Sequence, residues 1–276
     1  MRRFMLPLFV AASLALAAAG RADTVLIDST FSAASSTTLN NSTPETTVNS
    51  AKWVASGLTF SGGTLAMNTA TPQIAYIDMG SGYFASNAGI YTLAATYSLP
   101  AGTSAGWLGL GFVVPSGIAV PGITNTWSTS STLSSNTVGS EPWLFNRQAG
   151  NVNVYAGPYT TNPLLSGGTS VGPSGSSLTV QLVLNTSLPQ WTLDAYVGST
   201  QLDLNGAAAG NTYTYATNPS SIEDIALGTS GTGNFTASVS EFKLSYVAAP
   251  EPGAWALAGL GALALLLRAR FRARAA

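Results

Sequence analysis

The stretch IYTLAATYSL, Ile90 to Leu99, limits the fold more tightly than any other part of the chain. Extended, it places Tyr91, Leu93, Ala95, Tyr97 and Leu99 on one face and Thr92, Ala94, Thr96 and Ser98 on the other. A period of two belongs to a half-buried strand; a helix face repeats every ~3.6 residues. The same alternation runs through LTVQLVL (Leu178, Val180, Leu182 and Leu184 on one side) and WTLDAYV (Trp191, Leu193, Ala195 and Val197). NTSLPQ between those two reads as a hairpin connection. WLGLGFVV aligns Leu108, Leu110, Phe112 and Val114, with Trp107 and two glycines opposite.

Further strands are expected at 24–28, 58–60, 73–79, 151–155, 200–204, 225–227 and 235–246. In the last of these, Phe235, Ala237 and Val239 change phase to Phe242, Leu244 and Tyr246, which predicts a bulge near Ser240. No amphipathic helical pattern lies between the two ends of the chain. Many short strands separated by regular turn signals predict an all-β sandwich. With no break in composition, residues 23–248 read as one domain. The stretch 157–177, with eight Gly or Pro residues, reads as a long loop. Trp53 and Trp191 fit the core. Trp127, in the polar run GITNTWSTSSTLSSN, and Trp143 are the candidates for exposed rings that stack on sugar.

Cysteine and histidine are both absent. That removes disulfides, soft metal ligands, Ser-His and Cys-His catalytic pairs and the usual proton shuttle near neutral pH. The formal charge of -1 conceals segregation: within residues 23–248, Lys52, Arg147 and Lys243 face ten acids, a net charge of -7. A body of that sign offers no basic face to phosphate, so nucleic-acid binding is excluded.

The two ends read as addresses. Arg2 and Arg3, an apolar run from Phe4 to about Ala19 and then small residues have the layout of a secretory signal peptide, residues 1–22. Cleavage is expected after Ala22, with Ala19 the alternative. At the other end, residues 253–267 are apolar and uncharged. Fifteen helical residues reach ~22 Å, short of a ~30 Å hydrocarbon core, so this transmembrane helix is a marginal span. Arg268, Arg270, Arg272 and Arg274 follow it and, by the positive-inside rule, hold the C-terminus in the cytoplasm with the acidic body outside. Trp255 suits the opposite interface. Pro250 and Pro252 keep the backbone around Glu251 extended, as a protease cleft requires.

Tripeptide, apolar segment and terminal arginine cluster together resemble the PEP-CTERM sorting signal of exported bacterial proteins. The resemblance covers 249–276; Ala249 stands where the family has Val, and Val247 lies two places earlier. It implies signal peptidase and the secretion machinery as early partners, then cleavage by an exosortase, a transpeptidase-like membrane protease. It also implies a destination at the cell surface or in a biofilm matrix, among exopolysaccharide.

The body carries a second resemblance. Asp28 and Phe31, LNNSTPE at Leu39–Glu45, Trp53, GGTL at Gly62–Leu65 and the closing GNFTASVSEFKLSYV are similar to concanavalin A-like (lectin/glucanase, laminin G-like) jelly rolls. The retaining glucanases of that fold carry an E-x-D-x-x-E run on one strand, and none exists here. Glu223 and Asp224 are adjacent and so point to opposite faces of a strand, and Glu141 stands alone beside Pro142. Enzymatic activity is therefore not expected. No cofactor is expected either. Ca²⁺ is the metal the resemblance would bring, and Asp28, Asp78 or Asp203 would be its ligands, but without a D-x-D-x-D spacing they read as turn and edge acids. The chain thus reads as an exported, non-enzymatic matrix protein. The alternatives are a lectin-like surface module and a glycan-cleaving enzyme whose carboxylates meet from distant strands, about 5–9 Å apart.

Overall fold

The computed structural model describes residues 23–249 except 56, 69–72, 103–105, 114–141, 149, 157–163, 171–175, 207 and 230–234. Two sheets form the body, and every described strand pairing is antiparallel. Numbered along the chain, the ten-stranded sheet holds β1 (Thr24–Ser29), β2 (Thr37–Thr38), β4 (Thr59–Ser61), β5 (Thr64–Asn68), β7 (Gly89–Ser98), β12 (Ser177–Asn185), β13 (Thr192–Val197), β14 (Thr200–Gln201), β15 (Tyr213–Thr214) and β17 (Thr236–Ala248). The seven-stranded sheet holds β3 (Trp53–Ala55), β6 (Ile74–Asp78), β8 (Trp107–Val113), β9 (Trp143–Arg147), β10 (Asn151–Tyr155), β11 (Leu164–Ser170) and β16 (Asp224–Thr229). The one helix among the described residues is α1 (Tyr83–Ser86). Residues Thr24–Tyr246 make a single compact unit.

The alternation that predicts strands also sets their register. Leu93 of β7 pairs with Leu182 of β12, and Leu182 in turn with Ala195 of β13. Tyr91, Leu184 and Leu193 form a second such row, so the apolar faces of three strands coincide. A slip of one residue would turn all of them outward. These side chains meet Leu108, Leu110 and Phe112 of β8 and Ile225 and Leu227 of β16 in one core between the sheets. Each fully buried aliphatic or aromatic side chain there contributes roughly 1.5–3 kcal/mol.

Trp53 and Trp191 are core residues, as expected. Trp53 is fully enclosed, with its ring 5.0 Å from that of Phe242, and its indole N–H donates to Ser29 Oγ at 3.3 Å. The expected phase change in β17 is present. Val239 and Phe242 are both buried, with Ser240 exposed and Glu241 half-buried between them. The slip falls where β17 changes partner, from β5 through Val239 to β1 from Phe242.

Two expectations need correcting. The stretch 157–177 is not simply a loop, because β11 lies inside it and pairs with β10. Leu164 to Ser170 is largely small and polar, so the ladder of backbone hydrogen bonds, rather than an apolar pattern, defines it. At 200–204 only Thr200–Gln201 is strand; Leu202 and Leu204 are buried beyond its end.

Among the described residues no helix is long and apolar enough to cross a membrane. The signal peptide with Ala22, the tail from Pro250 through Glu251, Pro252 and Trp255 to Arg268, Arg270, Arg272 and Arg274, and Trp127 all lie outside the described residues.

Candidate functional site

A strand buried on one face only leaves its alternate residues in water. In the seven-stranded sheet this rule fails: every residue of β8 and β16, and β9 up to Asn146, is buried. The face turned away from the core therefore has its own packing. It holds Ile74, Trp107, Val113, Trp143, Phe145, Tyr155 and Ala226 in a second apolar cluster, with Tyr76 packed against it.

Rings cross this face from strand to strand. Trp107 and Phe145 stack with centroids 4.6 Å apart and planes 16° from parallel, and Phe145 lies 5.1 Å from Tyr155. The two glycines that alternate with Trp107 in β8 make room for them. A Cβ on Gly109 would come within 3.1 Å of the Leu144 carbonyl and 3.2 Å of the Phe145 ring. On Gly111 it would come within 2.5 Å of the Trp143 indole. Trp143 is thus 2% exposed, which corrects the expectation of an open sugar-stacking ring.

At one end of this face two acids meet. Asp78 closes β6, Asp224 opens β16, and the two are register partners. Paired positions share a face, and their Cα atoms are ~4.5–5.5 Å apart. Asp224 is 2% exposed, while Asp78 is exposed and accepts the Gly80 N–H at 2.7 Å. Burial, then the charges of Asp78 and Glu223, push the Asp224 carboxyl up to about 7. The neighbouring Tyr76 hydroxyl is raised by burial and by Asp224 and Asp78. A half-protonated buried acid beside a solvent-facing one can both donate and accept hydrogen bonds near neutral pH.

The remaining candidates are scattered. Asp203 Oδ1 accepts the N–H groups of Asn205 and Gly206 at 2.9 and 3.0 Å, which makes it a turn acid. Asp28 lies opposite Lys243 in the β1–β17 pairing. Burial raises its carboxyl; Lys243 lowers it, and Glu241 and Glu45 add to the rise. Among the described residues no group of three acids is placed to hold a metal ion. The Asp78–Asp224 pairing was not legible in the chain, because 145 residues separate the two and only long-range register joins them. The one local signal was phase: Asp78 alternates with Tyr76 and Ile74, off the core face of its strand.

The architecture is an all-β jelly-roll sandwich of two antiparallel sheets. Among solved structures, endo-1,3-β-glucanase from Streptomyces sioyaensis is similar at 12% identity over 83% of this chain and 98% of that one, with a TM-score of 0.50. The metal-free carbohydrate recognition domain of Emp46p is similar at 11% identity over 70% and 87% (TM-score 0.46). Lectin UEA-II complexed with galactose is similar at 10% over 71% and 92% (TM-score 0.39). At these identities the likeness is one of fold. No protein-family model and no curated protein matches the chain.

Proposed function

We propose that this chain is an exported, non-enzymatic glycan-binding protein of the cell surface or extracellular matrix. In this reading residues 1–22 direct export through the secretion machinery and signal peptidase. The marginal span at 253–267 holds Pro250-Glu251-Pro252 at the membrane until an exosortase-type protease removes the tail. The body then works among exopolysaccharide. The observation that carries the glycan-binding part is the paired Asp78 and Asp224 beside Tyr76 on the outer face of the seven-stranded sheet. Sugars are bound by carboxyl groups that match their hydroxyls and by rings that cover their C–H faces.

Two measurements test it. A glycan-binding screen of the purified chain should return neutral polysaccharides, and Asp78→Ala should abolish those signals; a blank screen rejects the reading. Replacing Pro250, Glu251 and Pro252 by Ala in the producing cell should leave the tail attached, seen as a higher mature mass. Normal removal of the tail would reject the sorting reading.

A second reading draws on the same pair. Two carboxyl groups brought from distant strands, one of them buried with its proton affinity raised, are the ingredients of glycosidic hydrolysis. Release of reducing ends by the wild-type chain, lost in both Asp78→Asn and Asp224→Asn, would establish it in place of simple binding.

A further inference from the structure

We infer that the interior of the sandwich binds one water molecule, held between Tyr97 on β7 and Asn146 on β9, which ties the two sheets together. This goes beyond the glycan-binding reading and stands or falls independently of it.

Asn146 is a polar residue at an apolar position. Along β9, Trp143 and Phe145 belong to the outer cluster, so Leu144 and Asn146 alternate with them toward the core. The register partners of Asn146, Leu108 on β8 and Val152 on β10, are fully buried core residues. Asn146 itself is 4% exposed. Tyr97 comes from the other sheet. It follows Leu93 and Ala95 along the inner face of β7 and is 2% exposed.

Both side chains end in an oxygen that nothing answers. Among the described residues, the Tyr97 hydroxyl and Asn146 Oδ1 are buried atoms without a hydrogen-bond partner. The two residues are nonetheless neighbours: burial raises the proton affinity of the Tyr97 hydroxyl, and Asn146 pulls it back. Folded proteins seldom leave one buried polar group unpaired, and here two meet across the same gap. Polar groups that face each other without bonding directly are the setting in which a water bridges.

The chemistry of the pair selects that ligand. A phenol hydroxyl donates and accepts, whereas an amide oxygen only accepts. The bridging molecule must therefore donate to Asn146, and with both side chains enclosed it has room for little more than one heavy atom. Water meets this by accepting from Tyr97 O–H and donating to Asn146 Oδ1, the ~2 partners that a buried water needs at least. A Ca²⁺ ion would need about six oxygens, and among the described residues no group of acids is placed to hold a metal. Arg147, next in β9, pairs with Trp107 of the outer cluster and brings no charge to the interior. Two residues beyond Asn146, Gln148 Nε2 donates to the carbonyls of Pro100 and Ala101 at 3.0 and 3.3 Å. That contact fastens the chain leaving β7 to the chain leaving β9, so the bound water exchanges slowly with solvent.

The test compares the purified full chain with Tyr97→Phe, Asn146→Leu and the double variant. Leucine keeps the branched shape of asparagine without its polar atoms. Magnetic relaxation dispersion of the water oxygen counts slowly exchanging waters, and that count should fall by one in each variant. In urea, each single change should raise the unfolding equilibrium constant about tenfold, and the double change no more than the larger single one. An unchanged count overturns the inference. If the two residues couple all the same, the hydroxyl and the amide bond each other directly; if their effects add, each stands alone. Tyr97→Phe keeps the ring in place, so the water count decides the question even if Asn146→Leu does not fold.

Discussion

The indole of Trp143 fills the space that a side chain on Gly111 would need. A Cβ at Gly111 would lie 2.5 Å from Trp143 Cε3, 2.7 Å from Cδ2 and 2.8 Å from the Pro142 carbonyl. None of these is the free end of a flexible chain; the ring is buried and the carbonyl is backbone. Gly111→Ala should therefore destabilise the protein by about 2–3 kcal/mol, a cost typical of overpacking. Chemical denaturation gives the value. A loss under 0.5 kcal/mol would mean that the outer cluster yields easily and that Trp143 is not fixed there.

Asp224 makes stability depend on pH in an unusual direction. Its folded-state proton affinity lies above the ordinary carboxyl value of 3.8, at about 7. The folded chain then holds a proton that the unfolded chain has lost, so stability declines as pH rises from about 4 to 7. Asp224→Asn removes that titration. Its stability relative to wild type should improve by about 2 kcal/mol between pH 5 and pH 8, at ~1.4 kcal/mol per unit reduced for partial solvation. Parallel melting curves at the two pH values for both proteins decide the matter, and an unchanged difference refutes it.

Glu45 behaves in the opposite sense. Its carboxylate accepts from Thr30 N at 3.0 Å, Thr30 Oγ1 at 2.9 Å, Ser32 N at 3.3 Å and Ser32 Oγ at 3.0 Å. Burial alone would raise this acid, but the hydrogen bonds outweigh it and hold the group below 4.5. The stabilisation is present above that value and lost as pH falls through the lower folded one. Glu45→Ala should cost about 1–2 kcal/mol at pH 7 and much less at pH 3, read from urea unfolding at the two pH values.

Deleting Ser240 tests the phase slip in β17. With that residue gone, Val239, Glu241 and Phe242 alternate regularly, so Ala237, Val239, Phe242 and Leu244 all keep the core face without a slip. These four side chains are fully buried, so the deletion should preserve cooperative unfolding by circular dichroism, at a cost of about 1–3 kcal/mol. Loss of the cooperative transition would mean that the extra residue is required where β17 passes from β5 to β1, and Ser240→Ala should change stability by less than ~1 kcal/mol.

The strands most legible in the chain are those wet on one side. In β7, β12 and β13 buried apolar residues recur at every second position with half-buried or exposed residues between them, and that period is the one the chain displays. Strands buried on both sides do not advertise their outer face. Trp143 reads as a candidate surface ring, yet the outer cluster encloses it. β11 offered no apolar period at all. The candidate site was hidden for a different reason: Asp78 and Asp224 each look like an ordinary acid at a strand end, and only pairing across the sheet makes them a unit. Adjacency in sequence, the basis for discounting Glu223 and Asp224 together, said nothing about partners from elsewhere.

β17 is the most C-terminal of the described strands, yet it sits inside the ten-stranded sheet, between β7 and β5. A chain threaded outward from its N-terminus must therefore wait. Until Thr236 and its successors arrive, the β7 and β5 edges stand open with unpaired backbone groups, the kind of edge that recruits foreign strands. The distant pairing also makes closure slow. The export proposed above would use such a delay, and a nascent chain stalled short of Thr236 would present those two raw edges to chaperones and proteases.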